Sequence, residues 1–418
     1  MKTKFFSATV LMMTAMMTAC SNDDNYVEAS AARQSSSASG AKTVLIYMAG
    51  RNDLSDALAD DLREVKEGSK RLRQNENLIV FVRSLKSKMP WVARIQNGEV
   101  TDSVSLRDLG ITSSDGENRA SDPAVMEGVM RYAFSHYPAS TGHYGLVIEG
   151  HGTGWLMMND VKRGRSRAAA VDWGNRGNDS DSRWINVPDL TAILKGIPHL
   201  KFLMFDCCCM MCLENLYELR STADYIIGSP AEIPGPGAPY DQIVPDMFAD
   251  GQFYSNIIDK YYNSVNGTLP LVAVKTSEME KVAQATRTAL QATSDKTVNG
   301  YHDMKGIIHY YHMDTNKSKD FFPEYNIFYD AGDFMRTFAP ADVYQQWRQV
   351  LDLAIVKKCT AMKWATDKRW QWKYSDFTAT EEKMHGVSMF VPQDPAKGDY
   401  VRYNEDIKLM EWYKVCPQ

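Results

Sequence analysis

Six short apolar runs constrain this chain more than any other feature: Thr43–Ala49, Asn77–Val82, Tyr144–Glu149, Leu200–Phe205, Tyr225–Ser229 and Leu269–Lys275. Each is rich in β-branched or large apolar side chains, and several end in a turn signal, the pattern of a buried strand. Helical periodicity fills some of the gaps between them. Leu54, Ala57, Leu58, Leu62 and Val65 share one face of a stretch from 54 to 70, and Asp122-Pro123 caps and opens a helix running to about Tyr137. A further helix is expected from about Ser277 to Gln291. Strands alternating with helices predict an α/β fold: a mostly parallel sheet with helices on both faces. Asn97-Gly98, between Trp91–Ile95 and Val100–Leu106, adds a tight hairpin to it.

The ends of the chain read differently. Lys2 and Lys4 precede an apolar stretch, Phe5–Met17, that closes on Thr18-Ala19-Cys20. Residues 1–19 are therefore expected to be a signal peptide. Cysteine directly after two small residues resembles a bacterial lipobox, which implies lipidation of Cys20, and residues 20–41 would form a flexible Ser- and Ala-rich tether. Such a chain sits in the cell envelope, lipid-anchored to the outer membrane, with the acidic Asn22-Asp23-Asp24 resembling a surface-export signal. No later segment has the ~20 apolar residues of a spanning helix. The division that follows is an α/β domain over 42–298 and a mostly helical C-terminal part over 299–418, rich in Tyr, Trp and Lys, with a late strand at Val387–Val391. A net charge of −5 argues against a nucleic-acid partner.

The chemistry concentrates where an apolar run ends. Four of the seven cysteines fall in Cys207-Cys208-Cys209-Met210-Met211-Cys212, directly after the fourth run, and His151-Gly152 follows the third. In parallel sheets, sites gather beyond the carboxyl ends of the strands. A thiol at a strand-to-helix junction with an imidazole at the end of another strand is a common way to present a cysteine nucleophile and its base. Leu213–Arg220 has helix-forming composition, so the N-terminus of that helix is expected to favour the thiolate. Weighed alone, a histidine at a strand end is more often structural, and a cysteine at a helix start is usually a small buried hydrophobe. Cys209-x-x-Cys212 also has the spacing of half a zinc site, but no second Cys or His pair accompanies it. Cys359 and Cys416 are candidates for a disulfide, and no zinc site is expected.

Several segments, in order, resemble the clostripain family of cysteine peptidases. They are Thr43–Leu54, the histidine segment Leu146–Trp155, the run Phe205–Met210 with Glu214 and Tyr217-Glu218-Leu219, and the stretch from Ala223 through Glu232 and Pro234-Gly235 to Tyr240. Arg51, where the family usually has Asp, and the cysteines flanking Cys208 depart from its pattern. The resemblance implies a caspase-like fold and a Cys208–His151 dyad, with the backbone N–H groups of Gly152 and Cys208 as oxyanion donors. It implies cleavage after Arg or Lys in peptide or protein substrates, with Asp206 as the acid of the specificity pocket and Glu232 or Asp241 as further acids. Cys207, Cys209 and Cys212 are then packing residues.

The same resemblance implies maturation by cleavage between histidine and cysteine. Residues 160–182 form an Arg- and Gly-rich stretch without periodicity, and Arg167 is the first candidate for such a cut, Arg165 and Lys162 the next. Some family members depend on calcium, for which Asp179 and Asp181 offer oxygen ligands; no other cofactor is expected. The rival expectations are an inactive envelope lipoprotein that binds peptides or proteins, and a transferase that passes the acyl group to an amine.

Overall fold

A computed structural model of the chain describes residues 40–87, 89–157, 169–293, 297–298, 300–311, 326–364, 377–397 and 400–417. Cys20, Lys162, Arg165 and Arg167 lie outside them. Ala41–Gln418 forms one compact unit.

The strands run in chain order β1 (Lys42–Gly50), β2 (Glu76–Ser84), β3 (Trp91–Gln96), β4 (Glu99–Ser105), β5 (Tyr144–Glu149), β6 (Ala169–Asp172), β7 (Arg183–Ile185), β8 (Leu200–Asp206), β9 (Ala223–Gly228), β10 (Leu271–Lys275), β11 (Thr297–Val298), β12 (Tyr301–His302), β13 (Tyr329–Asp330), β14 (Ile355–Cys359) and β15 (Ser388–Met389). A nine-stranded sheet has the order β14-β10-β9-β8-β5-β1-β2-β3-β4. Its middle is parallel: β9 on β8, β8 on β5, β5 on β1 and β1 on β2. Both margins are antiparallel. The hairpin β3–β4 extends one side, and β10 with β14 extends the other. Asn97 and Gly98 both take positive φ (51° and 83°), the conformation a two-residue hairpin turn requires.

Alternation along the strands divides the core in two. Leu45, Tyr47, Ile79, Phe81, Leu146, Ile148, Leu203 and Phe205 face one layer, which includes Val125, Val129, Leu190 and Val282 from helices. Val44, Ile46, Met48, Leu78, Val80, Val147, Phe202 and Met204 face the other, with Leu58, Val65, Ile257 and Ile258. The period of two is what a strand covered on both sides must show. The helix Pro123–His136 starts as its sequence predicts, with Asp122 accepting hydrogen bonds from the Ala124 and Val125 amides. Ser55–Ser69 forms the helix expected over 54–70, with Leu58 and Val65 buried. Asp61 is buried on that face as well.

Residues after 299 are woven into the same unit. Ile355–Cys359 closes one margin of the main sheet on β10. Ser388 donates its backbone N–H to the Met211 carbonyl at 3.0 Å, and Phe390 donates to Glu214 Oε1 at 2.7 Å. The C-terminal part therefore buttresses the segment that carries the cysteines. Among the described residues no helix is long and apolar enough to cross a membrane.

Candidate active site

Register sets the frame of the site. Glu149 at the end of β5 pairs with Asp206 at the end of β8, and the Gly150 amide donates to the Asp206 carbonyl at 3.3 Å. His151 and Cys208 each stand two residues beyond that pair, on neighbouring parallel strands about 4.8 Å apart. The chain between them is closely packed. A Cβ placed on Gly152 would come within 2.7 Å of Cys207 Cβ and 2.8 Å of the Cys208 carbonyl oxygen. Only glycine allows the histidine loop to lie that close to the cysteine loop.

Cys208 Sγ is half-buried and receives a hydrogen bond from the Ile233 backbone N–H at 3.2 Å. Burial, with the Glu232 carboxylate beside it, pushes the thiol up to about 12, and the Ile233 amide opposes that rise. Its surroundings thus favour the neutral thiol over the thiolate. The expected support from a helix N-terminus is absent, because the next helix spans only Leu213–Glu218 and starts five residues after Cys208. Cys209 has φ 61°, so the chain turns back on itself where the sequence suggested that a helix would begin. The loop is held by the Cys209 amide on the Ala231 carbonyl (2.9 Å) and the Met211 amide on that of Ser229 (3.2 Å).

The neighbouring cysteines behave as packing residues. Cys207, Cys209 and Cys212 are buried in the core, and burial raises each thiol well above its ordinary value. Cys359 and Cys416 are unpaired. Cys359 Sγ lies 3.7 Å from Asp259, whereas Cys416 Sγ donates to the Ala283 carbonyl, so the disulfide that their spacing allowed does not form.

His151 Nε2 lies 2.7 Å from Asp53 Oδ1, and the His151 ring sits 6.1 Å from that of Trp184. Asp53 escaped the sequence reading because an acidic residue just before a helix looks like a dipole partner or cap. Arg51, two residues earlier, donates to the Gly174, Ser84 and Asn175 carbonyls, so it ties the turn after β1 to the stretch that follows β6.

The family profile of peptidase C11, the clostripain family, matches residues 46–416. The chain belongs to the clostripain family. It is 25% identical over 228 residues to Clostripain of Hathewaya histolytica, a match covering 50% of this chain and 42% of that protein, so the chain spans less than half the length of that relative. Among solved structures it resembles a secreted C11 cysteine protease from Bacteroides thetaiotaomicron in complex with an irreversible peptide inhibitor. That likeness has a TM-score of 0.71 at 28% identity, covering 90% of this chain and 99% of the other. It also resembles an inactive zymogen C11 protease from Parabacteroides distasonis, with TM-score 0.69, 26% identity, and coverage of 91% and 100%.

In this clostripain-family chain the acid before the cysteine loop is deeply enclosed. Asp206 is 4% exposed and accepts from the Ala238 amide (2.9 Å), Tyr240 Oη (3.0 Å) and Tyr261 Oη (2.8 Å). Burial raises its carboxyl group, against the pull of those donors. Near it lie two further buried acids, Asp61 and Glu149, neither of which was singled out from the sequence as a site residue. Burial and neighbouring carboxylates, against a hydrogen bond from Glu149, raise Asp61 to about 7, and burial with Asp61 drives Glu149 well above the carboxylate range. Two like charges about 4 Å apart repel by roughly 4 kcal/mol even at an effective dielectric of 20. A hydrogen bond to a charged group returns about 1.5–3 kcal/mol. The pair therefore keeps a proton.

Glu232 is buried in the loop that contacts Cys208. Asp241 is not placed with it. It lines, with Glu64, Pro234, Pro236 and Gly237, a cleft of about 690 Å³ whose walls include none of His151, Asp206 or Cys208. Asp181 is engaged by Arg119 at 2.5 Å, and among the described residues no group of three or more His, Cys, Asp or Glu is arranged to hold a metal. No step below passes through a calcium ion.

Proposed function

We propose that the chain is a cysteine endopeptidase cleaving peptide and protein substrates after Arg or Lys. Cys208 Sγ attacks the scissile carbonyl carbon, the peptide C–N bond breaks, and His151 delivers the proton to the leaving amine. Water then hydrolyses the thioester and returns the proton to the thiol. The backbone N–H groups of Gly152 and Cys208 receive the oxyanion. One observation carries this reading: two adjacent parallel strands deliver His151 and Cys208 to the same rim, with Gly152 packed against the Cys208 backbone. A basic P1 side chain suits Asp206, which ends β8 two residues before Cys208.

Self-processing belongs to the same proposal. Trp155–Met157 and Ala169–Val171 are buried, so a cut at Arg167, Arg165 or Lys162 leaves an anchored segment on each side. The lipid anchor at Cys20 and the envelope location complete the reading.

A rival, a peptide-binding protein without turnover, is favoured by the burial of Cys208 beside Glu232, which disfavours the thiolate. Incubation with an Arg-chloromethylketone followed by mass spectrometry separates the two. The peptidase becomes labelled on Cys208 and hydrolyses a fluorogenic Arg peptide; a chain that does neither in reducing buffer is the binder. Denaturing electrophoresis addresses processing: wild type is expected to yield two fragments and Cys208→Ala one intact chain. Equal fragmentation of both would end the self-processing proposal.

A further inference from the structure

We infer that Asp53 is the positioning residue of the reaction, making the working unit Asp53–His151–Cys208. The inference rests on the reading above that His151 serves Cys208.

An imidazole has two nitrogens, and one interaction fixes the role of the other. With Nε2 at 2.7 Å from Asp53 Oδ1, the Nε2 proton is donated to the carboxylate. In the neutral ring the lone pair is then on Nδ1, the nitrogen left to take the thiol proton and return it to the leaving amine. Once the ring is protonated, both nitrogens carry a proton, and the Asp53 charge faces the cation that forms.

Asp53 stands on a turn that has little freedom. Asn52 is fully buried; its Nδ2 donates to the Ala49 and Val171 carbonyls, both at 2.9 Å, and its Oδ1 accepts from the Leu54 amide at 2.9 Å. Ser55 Oγ donates to the Gly50 carbonyl and accepts from the Leu85 amide at 2.7 Å. The residues on both sides of Asp53 are thus pinned, one to β1 and β6, the other to β1 and the end of β2. The same β6 segment holds the histidine: the Ala170 amide donates to the His151 carbonyl at 3.0 Å, and Gly152 bridges Ala169. Trp173 closes the circuit by donating to the Arg51 carbonyl at 2.9 Å. Carboxylate and imidazole are therefore referenced to one piece of backbone, the preorganisation that a proton shuttle requires.

Stability does not account for this pairing. The Asp53 side chain is 59% exposed and that of His151 27%, and exposed ion pairs contribute about 0–1 kcal/mol at most. Nor does helix capping, since Leu54 holds the N-cap position of the following helix.

The test compares Asp53→Asn, Asp53→Ala and Asp53→Glu with wild type and Cys208→Ala, on an Arg-peptide amide. Asp53→Asn and Asp53→Ala are expected to lose kcat by roughly 100-fold, the low end of what general acid–base catalysis contributes, at a KM within about twofold of wild type. Asp53→Glu should regain roughly tenfold of that loss. A kcat within about twofold of wild type in Asp53→Asn, with Cys208→Ala inactive, overturns the inference alone. So does a rise in KM at constant kcat, which would make Asp53 a substrate contact, or a fall in kcat that tracks a lower Tm without recovery in Asp53→Glu. Activity that survives in Cys208→Ala overturns the peptidase reading, and this inference with it.

Discussion

Among the aspartate–histidine pairs of the described residues, two differ most in how they are enclosed, His385–Asp330 and His151–Asp53. His385 Nδ1 lies 3.3 Å from Asp330 Oδ1 in a site where the side chains are 2% and 0% exposed. The Asp330 carboxylate accepts from Tyr310 Oη (2.6 Å), the Asp333 amide (2.9 Å) and the His385 amide (2.8 Å). Although burial works against it, hydrogen bonds and charge from His385 hold Asp330 below its ordinary value. The other ring nitrogen meets Tyr344 Oη at 3.2 Å, and a Cβ on Gly332 would strike the ring at 2.0 Å. His151 and Asp53 share a shorter contact, but at a partly open rim beside the thiol loop. The enclosed pair fastens elements together, whereas the pair at the rim is the one on which the proposed mechanism draws.

The widest separation between the two should appear on truncation. His151→Ala is expected to lower kcat by roughly 10³-fold while Tm stays within about 2 °C of wild type. Asp330→Asn, which weakens a fully buried pair, should cost about 3–5 kcal/mol of stability, with kcat of the folded fraction retained. Denaturant melts and steady-state kinetics on both variants check this; an active His151→Ala, or an Asp330→Asn as stable as wild type, breaks the contrast.

A buried acid pair without a cation sharpens it. Asp61 is held near 7 in the folded chain, above its ordinary 3.8, so the folded state binds more protons than the unfolded one between those values. Stability from this group is complete below about pH 4 and is lost as pH rises through about 7. Asp61→Asn is expected to flatten that decline, seen as a smaller difference in Tm between pH 5 and pH 8. An unchanged difference would remove Asp61 from the account.

The smallest effect concerns the thiol. Glu232 is the second cause, after burial, of the raised Cys208 thiol, so Glu232→Gln should lower it and speed alkylation by iodoacetamide at pH 7.5 by roughly three- to tenfold. Unaltered alkylation would mean that burial alone keeps the sulfur protonated.

The parallel centre of the sheet was legible because β1, β2, β5, β8 and β9 are apolar on both faces, and the β3–β4 hairpin because Asn97-Gly98 has few other uses. The direction of β10 was not, since an apolar run carries no sign of which way its neighbour points. Ile355–Cys359 was hidden for another reason: Ile-Val-Lys-Lys-Cys at a sheet margin lacks alternation and follows a helix directly. At the site, His151 and Cys208 stood out by their place after apolar runs. Asp53, Asp61 and Glu149 did not, because an acidic residue in a turn, on a helix or at a strand end is ordinary until its neighbours are known.

The contact of Ser388 and Phe390 with Met211 and Glu214 has a bearing on biosynthesis. The loop bearing the sulfur acquires this support only from residues made long after it, and the margin of β10 stays uncovered until Ile355–Cys359 emerges. A chain stalled before that point presents an open strand edge, a template for aggregation, and an unbraced cysteine loop. Emergence of Ser388 and Phe390 is thereby a precondition for bracing the cysteine loop.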